Sequence, residues 1–274
     1  MATPRNARPG MLLDPGAPIN SGLVGWWPMW EGAGGKTLDI SGNNNHVALT
    51  NGPKRAGRGL IFDGTDDCVL NSIANFRSSD NTGSIVVRFK STSTAAVKTL
   101  FSSADEASTD DYLAFVLNFS TAVGSIYVQY NIAGATIQVR TTATTFNDGA
   151  EHTAVLKTNG SAWSIIVDGV NQGLTVASGS NDGTWFADIS NRDNISIGSL
   201  KRSSNIAFFD GSIFDVRVFS REISIPEAQQ LHVAPNIGLW VPDTIRYYIP
   251  AAGGGFQPAW AANSNVLLGG GMAL

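Results

Sequence analysis

Breaking a glycosidic bond with retention takes two carboxyl groups about 5 Å apart, one as nucleophile and one as acid/base. Two acidic residues a few positions apart on one face of a strand would supply them. The glutamates of this chain stand at Glu31, Glu106, Glu151, Glu222 and Glu227, and no two lie two to four residues apart on a strand. The histidines, His46, His152 and His232, fall in a loop, at a strand start and at a helix end. None sits by a nucleophile elbow, and they do not cluster at zinc-ligand spacing. Gly32-Ala33-Gly34-Gly35 leads through Lys36-Thr37 into strand-like sequence, which makes it a turn and not a phosphate loop. The carboxylates of Asp63, Asp66 and Asp67 suit a β-turn, with a hard cation as the alternative. These residues predict a non-catalytic protein.

Binding chemistry is better represented. Sugar recognition uses aromatic faces with amides and carboxylates beside them. Trp185 and Phe186, at the end of a long Ser/Gly/Asn loop, are the expected ligand contacts. Tyr112, Tyr127, Gln129 and Tyr130 fall on central strands, whereas Trp26, Trp27 and Trp30 are too dense to be other than core. A net charge of -4 gives no electrostatic reason to expect nucleic acid. Lys54, Arg55 and Arg58 form a local basic group that reads as a solvated face.

The elements that must position these residues are strands. Thirty glycines, with abundant Ser, Thr and Asn, point to many turns and an all-β fold. Alternating patterns predict strands at 84–90, 112–117, 125–130, 136–140, 152–157, 161–167, 170–175 and 212–219, with turns at Asn159-Gly160 and Asp168-Gly169. One helix is expected, Pro226–His232, with Ser224 as cap and Glu227 at capping-box spacing. The single cysteine, Cys68, excludes an internal disulfide and reads as a buried apolar residue. No stretch has signal-peptide or membrane-spanning character, so export and membrane insertion are not expected.

Residues 22–232 resemble the LamG-like jellyroll group of the concanavalin A-like lectin/glucanase superfamily. The matching pieces are Gly25-Trp26-Trp27-Pro28 through Gly32, the run from Asp39 to His46, the strand from Leu60 to Asp67, and Gly211 to Phe219 with Arg221-Glu222-Ile223-Ser224 behind it. The resemblance implies a β-sandwich used for binding or assembly. It also implies a structural calcium, with Glu31 and Asp215 as its carboxylates.

Residues 1–21 hold four prolines and read as an extended arm. Residues 233–274 read as a second arm, rich in Gly and Pro but carrying Trp240, Tyr247, Tyr248, Phe256 and Trp260 as expected assembly contacts. The last stretch resembles tails of bacteriophage-encoded proteins. That resemblance implies a virion structural protein, such as a capsid decoration, head-fibre or tail-associated component. It would be made in the host cytoplasm, contact other virion proteins or copies of itself, and present its jellyroll to a cell-surface glycan. A soluble lectin module is the alternative, and a divergent glycoside hydrolase a more distant one.

Overall fold

The structure is a computed structural model and describes residues 12–74, 76–240, 248–250 and 256–258. Strands β1 to β8 span Leu12–Leu13, Leu23–Trp27, Lys36–Thr37, Val47–Thr50, Lys54–Ala56, Gly59–Asp63, Cys68–Asn71 and Gly83–Lys90. Strands β9 to β16 span Lys98–Ala104, Tyr112–Phe119, Ala122–Ile132, Ala135–Thr141, Glu151–Thr158, Trp163–Val167, Val170–Asn171 and Leu174–Ser178. Then come β17 (Ile195–Ile197), β18 (Leu200–Lys201), β19 (Asn205–Ile206), β20 (Asp210–Phe219) and helix α1 (Ile225–Val233). β21 (Leu239–Trp240), β22 (Tyr248–Pro250) and β23 (Phe256–Pro258) follow.

Two antiparallel sheets form the expected jellyroll sandwich. The nine-stranded sheet runs β16-β12-β11-β10-β9-β17-β7-β4-β3. The second runs β15-β14-β13-β8-β20-β6-β5, with β2 beside β20. Period-two alternation decides what each strand buries. In β10, Leu113, Phe115 and Leu117 enter the main core, where they join Phe62, Phe89 and Trp163 of the opposite sheet. Their neighbours Tyr112, Ala114 and Val116 join a small cluster with Leu200 on the other face. The Gly-Trp-Trp opening has a packing reason: a Cβ at Gly25 would lie 2.4 Å from the Trp27 ring.

The outer face of the second sheet is sealed. Val86, Val155, Ile166 and Phe219 pack beneath Ala228 and Leu231 of α1 and beneath Ile19. The cap of α1 is as expected, with Ser224 accepting from the Glu227 amide and Glu227 reaching back to Ser224. Its carboxyl is held down at about 2, chiefly by the Arg221 side chain.

Two expectations need correction. Residues 170–175 are not one strand. β15 edges the second sheet and β16 the first, so Gln172 and Gly173 carry the chain across the sandwich. The arms also begin and end elsewhere. Proline suits the first position of a helical turn, and Pro18–Asn20 forms a 3-10 turn that buries Ile19. β1 pairs with β21, Leu12 opposite Trp240, and the Asn20 amide donates to Asp14 O at 2.7 Å and Gly238 O at 2.8 Å. Residues 12–21 and 234–240 thus belong to the domain. β22 pairs with β23. Of the expected assembly contacts, Tyr247 and Trp260 lie outside the described residues. Trp240, Tyr248 and Phe256 are described only as members of these short ladders.

A charge cluster fastens α1 to the sheet. Asp168 and Gly169 take φ of +52° and +77° in the two-residue turn between β14 and β15, the left-handed pair a type I′ hairpin needs. The Asp168 carboxylate accepts from Thr153 N at 2.8 Å, pairs with His152 at 2.7 Å, and lies 3.4 Å from His232 in the last turn of α1. Asp148 lies 3.2 Å from the other nitrogen of His152. The bond to Asp168 raises His152 above its ordinary 6.5. Burial pushes Asp168 up, but His152 and the Thr153 amide bring it below its ordinary 3.8.

These shifts set a pH window. The His152 contribution is complete below 6.5 and lost as pH rises through its higher folded value. The Asp168 contribution is complete above 3.8 and lost as pH falls through its lower folded value. Thermal melts from acid to alkaline pH are expected to show a Tm that falls as pH rises above 6.5, a fall that Asp168→Asn flattens. Coincident profiles would show that the cluster contributes nothing.

Candidate functional site on the nine-stranded sheet

With one outer face sealed, the outer face of the nine-stranded sheet is the broad surface left for a ligand. The hairpin β18–β19 covers its centre, with Leu200, Ile206 and Ala207 packed over Ala104, Tyr112, Ala114 and Val116. Toward β11, β12 and β16 the face is polar. Register places Ala114, Gln129 and Gln138 in one row across three strands. Tyr112, Asn131 and Thr136 form a second row; Val116, Tyr127 and Arg140 form a third.

A chain of side chains links the first two rows. Gln129 Nε2 donates to Tyr112 Oη, and Gln138 Nε2 donates to Gln129 Oε1 at 3.0 Å. Burial raises the Tyr112 phenol, so it stays a neutral hydroxyl. Both glutamine amides are half-buried, and an amide has more donor and acceptor capacity than these bonds use. A guanidinium flanks each end: Arg202 sits 5.7 Å from the Tyr112 ring centre, and Arg140 sits 5.9 Å from that of Phe119. Six other arginines, Arg55, Arg58, Arg77, Arg88, Arg217 and Arg221, pair with carboxylates. Among the described residues Arg140 and Arg202 make no such ion pair, and both are half-exposed. Planar donor forks on aromatic backing, beside amides, suit hydroxyl and carboxylate groups.

Trp185 and Phe186 are not ligand contacts. Both lie in the core at 0% and 1% exposure, with ring centres 4.9 Å apart. The loop that carries them turns inward through the Phe186–Asp188 3-10 turn, where Asp188 accepts from Trp185 N at 2.8 Å. Tyr112, Tyr127 and Tyr130 are also buried, at 3%, 1% and 8%. Gln129 was legible as a candidate, but its partner Gln138 was missed. Counting outward from the Ala133-Gly134 turn, where both residues take positive φ, would have paired them.

Glu31 and Asp215 do not suit a calcium ion. Glu31 accepts from Thr37 Oγ1 at 2.5 Å, Leu38 N at 2.6 Å and Arg55 at 2.9 Å. Asp215 accepts from Trp26 Nε1 at 2.5 Å and Arg217 Nε at 3.0 Å. Each is already met by a guanidinium and by N–H or O–H donors, whereas calcium needs free oxygen lone pairs. The carboxylates of Asp63, Asp66 and Asp67 lie within 4.8 Å of one another. Two of them are tied into a turn: Asp63 accepts from Thr65 N at 2.8 Å, and Asp67 from Asp63 N at 3.0 Å.

Every glutamate has a cationic partner: Glu31 with Arg55, Glu106 with Lys201, Glu151 with Arg58 and Arg88, Glu222 with Lys157, Glu227 with Arg221. A cleft of about 280 Å³ between Val24, Asn43, Asn45, Ile73, Phe76 and Arg77 is a lesser candidate. Its asparagine amides donate to Val24 O, and Arg77 is forked onto Asp80.

The two sheets, with a sealed back and a polar front, make a jellyroll sandwich. The Laminin G domain family model matches residues 89–221. Among solved structures, Trypanosoma rangeli sialidase in complex with sialic acid superposes with TM-score 0.58 at 16% identity, over 79% of this chain and 33% of that one. The chain therefore spans about a third of that sialidase's length. The Ruminococcus gnavus IT-sialidase CBM40 bound to α2,3 sialyllactose superposes with TM-score 0.51 at 18% identity, over 64% of this chain and 96% of that one. No curated protein matches the chain in sequence.

Proposed function

We propose that this chain is a non-catalytic, glycan-binding structural protein of a bacteriophage virion, with the outer face at β11 and β12 as its binding surface. The observation that carries the binding role is the Tyr112–Gln129–Gln138 chain flanked by two guanidiniums without a carboxylate partner among the described residues. A module of like fold holds sialyllactose, so sialylated and other acidic glycans are the first probes. The absence of a catalytic role is supported by the glutamates, each of which faces a cation instead of a second carboxyl group. The virion role is supported by the resemblance of the C-terminal stretch to phage-encoded tails.

A glycan array with the full chain tests the binding role, with Gln129→Ala/Gln138→Ala and Arg140→Ala beside it. Losing hydrogen bonds worth about 0.5–1.5 kcal/mol each, and more for a charged group, is expected to weaken binding roughly ten- to hundredfold. An array without binding, or variants that bind as well as the parent, would refute the site. Absence of the protein from purified particles of the phage encoding it would refute the virion role.

A further inference from the structure

We propose that β16 is a dimerisation edge, through which a second copy of this chain continues the nine-stranded sheet. A sheet edge offers unpaired N–H and C=O groups, and proteins protect such edges with charge, shortness or cover. The other edges here are protected. β3 and β15 are two residues long. β5 carries Lys54 and Arg55. The free side of β2 is covered by a loop, with Trp26 O accepting from Ile40 N at 2.9 Å and Trp26 N donating to Asp39 at 2.9 Å.

Among the described residues β16 is neither charged nor covered, and its one irregularity is a bulge at Ala177 against Gln138 and Val139. It is the five-residue strand Leu174-Thr175-Val176-Ala177-Ser178, without charge or proline. Among the described residues it pairs only with β12. Val176 stands opposite Val139, a core residue, yet is 47% exposed because the sheet stops there. Continuing the sheet would bury it.

The occupant follows from the same comparison. Among the described edges of the two large sheets on a second copy, only β16 has this length without charge. Antiparallel pairing centred on Val176 sets Val176 against Val176, with no like charges opposed anywhere along the strand. Because the strand pairs with itself, the contact is isologous and closes as a two-fold dimer, not an open fibre. β12 of each copy then lies three strand spacings from its counterpart, about 14 Å. The two polar faces share one sheet, so a multivalent glycan surface is met twice. The dimer itself does not depend on the glycan reading.

Light scattering of the full chain over a concentration series is the test, with Val176→Lys as the variant and Lys54→Glu as the control on another edge. The expected result is a dimer that Val176→Lys makes monomeric with unchanged Tm, and that Lys54→Glu leaves intact. A parent that is monomeric throughout overturns the proposal, as does a Val176→Lys chain that keeps the parent's mass. Should Val176→Lys misfold, Val176→Cys decides. A short bis-maleimide is expected to yield a covalent dimer through it, since Cys68 is buried; no covalent dimer overturns the proposal.

Discussion

Arg217→Met is expected to cost about 3–5 kcal/mol, the range for removing one partner of a buried ion pair. Arg217 is fully buried. Its guanidinium lies 3.6 Å from the Trp26 ring centre and bonds Asp215 at 3.0 Å. It also donates to Pro235 O, and to Ile237 O at 3.2 Å. One side chain thus holds β2, β20 and the segment after α1. Methionine fills part of the volume but leaves two carbonyls and a carboxylate without their donor.

Burial already pushes the Asp215 carboxyl above its ordinary value against the pull of Arg217. Without Arg217 it is expected to rise further and take up a proton on folding. A group raised in the folded state stabilises at low pH and loses that contribution as pH rises through its folded value. The variant's deficit is therefore expected to be larger at pH 8 than at pH 4. Asp215→Asn added to Arg217→Met is expected to recover part of the loss by removing the unpaired charge. Denaturant melts of the three variants at the two pH values check this; a uniform deficit would show that packing, not charge, is what Arg217 supplies.

Trp185→Ala is expected to be comparably severe, about 3–5 kcal/mol for emptying a large aromatic site in a core. The ring packs on Phe186 and approaches Gly83, where a Cβ would come within 2.5 Å of Trp185 Nε1. That nitrogen has no hydrogen-bond partner among the described residues, so Trp185→Phe forfeits no bond and is expected to cost only about 1 kcal/mol. The readout is Tm, with glycan binding measured well below it. A Trp185→Ala chain of normal Tm that has lost binding would restore the surface role that its loop position suggests.

Trp185 also shows where reading by sequence runs out. Strand alternation is local, so Leu113, Phe115 and Leu117 could be assigned to one face without knowing the partner sheet. The capping box at Ser224 and the Asp168-Gly169 turn are likewise complete within a few residues. Trp185 lies in a stretch without periodicity, and its burial depends on where a long connection is laid over Gly83, a hundred residues earlier. Asp215 has half of this character: Arg217 lies two residues along the same strand, whereas Trp26 comes from a strand near the other end of the chain. The polar face was half legible, since Tyr112 and Gln129 stood out by type, while Gln138 needed the hairpin register. The proline-rich start was read by what proline forbids. Pro18 instead opens a turn that proline favours.

The two-residue ladder between β1 and β21 brings the ends of the domain to one spot, Leu12 beside Trp240. Opposed pulls on the flanking segments would load this ladder in peeling geometry, one hydrogen bond at a time. The Asn20 amide, which grips both flanks, would yield next, and the sandwich would feel the force last. Pulled through those two segments, the domain would hang from a single point, and this ladder would give way before the sandwich is disturbed.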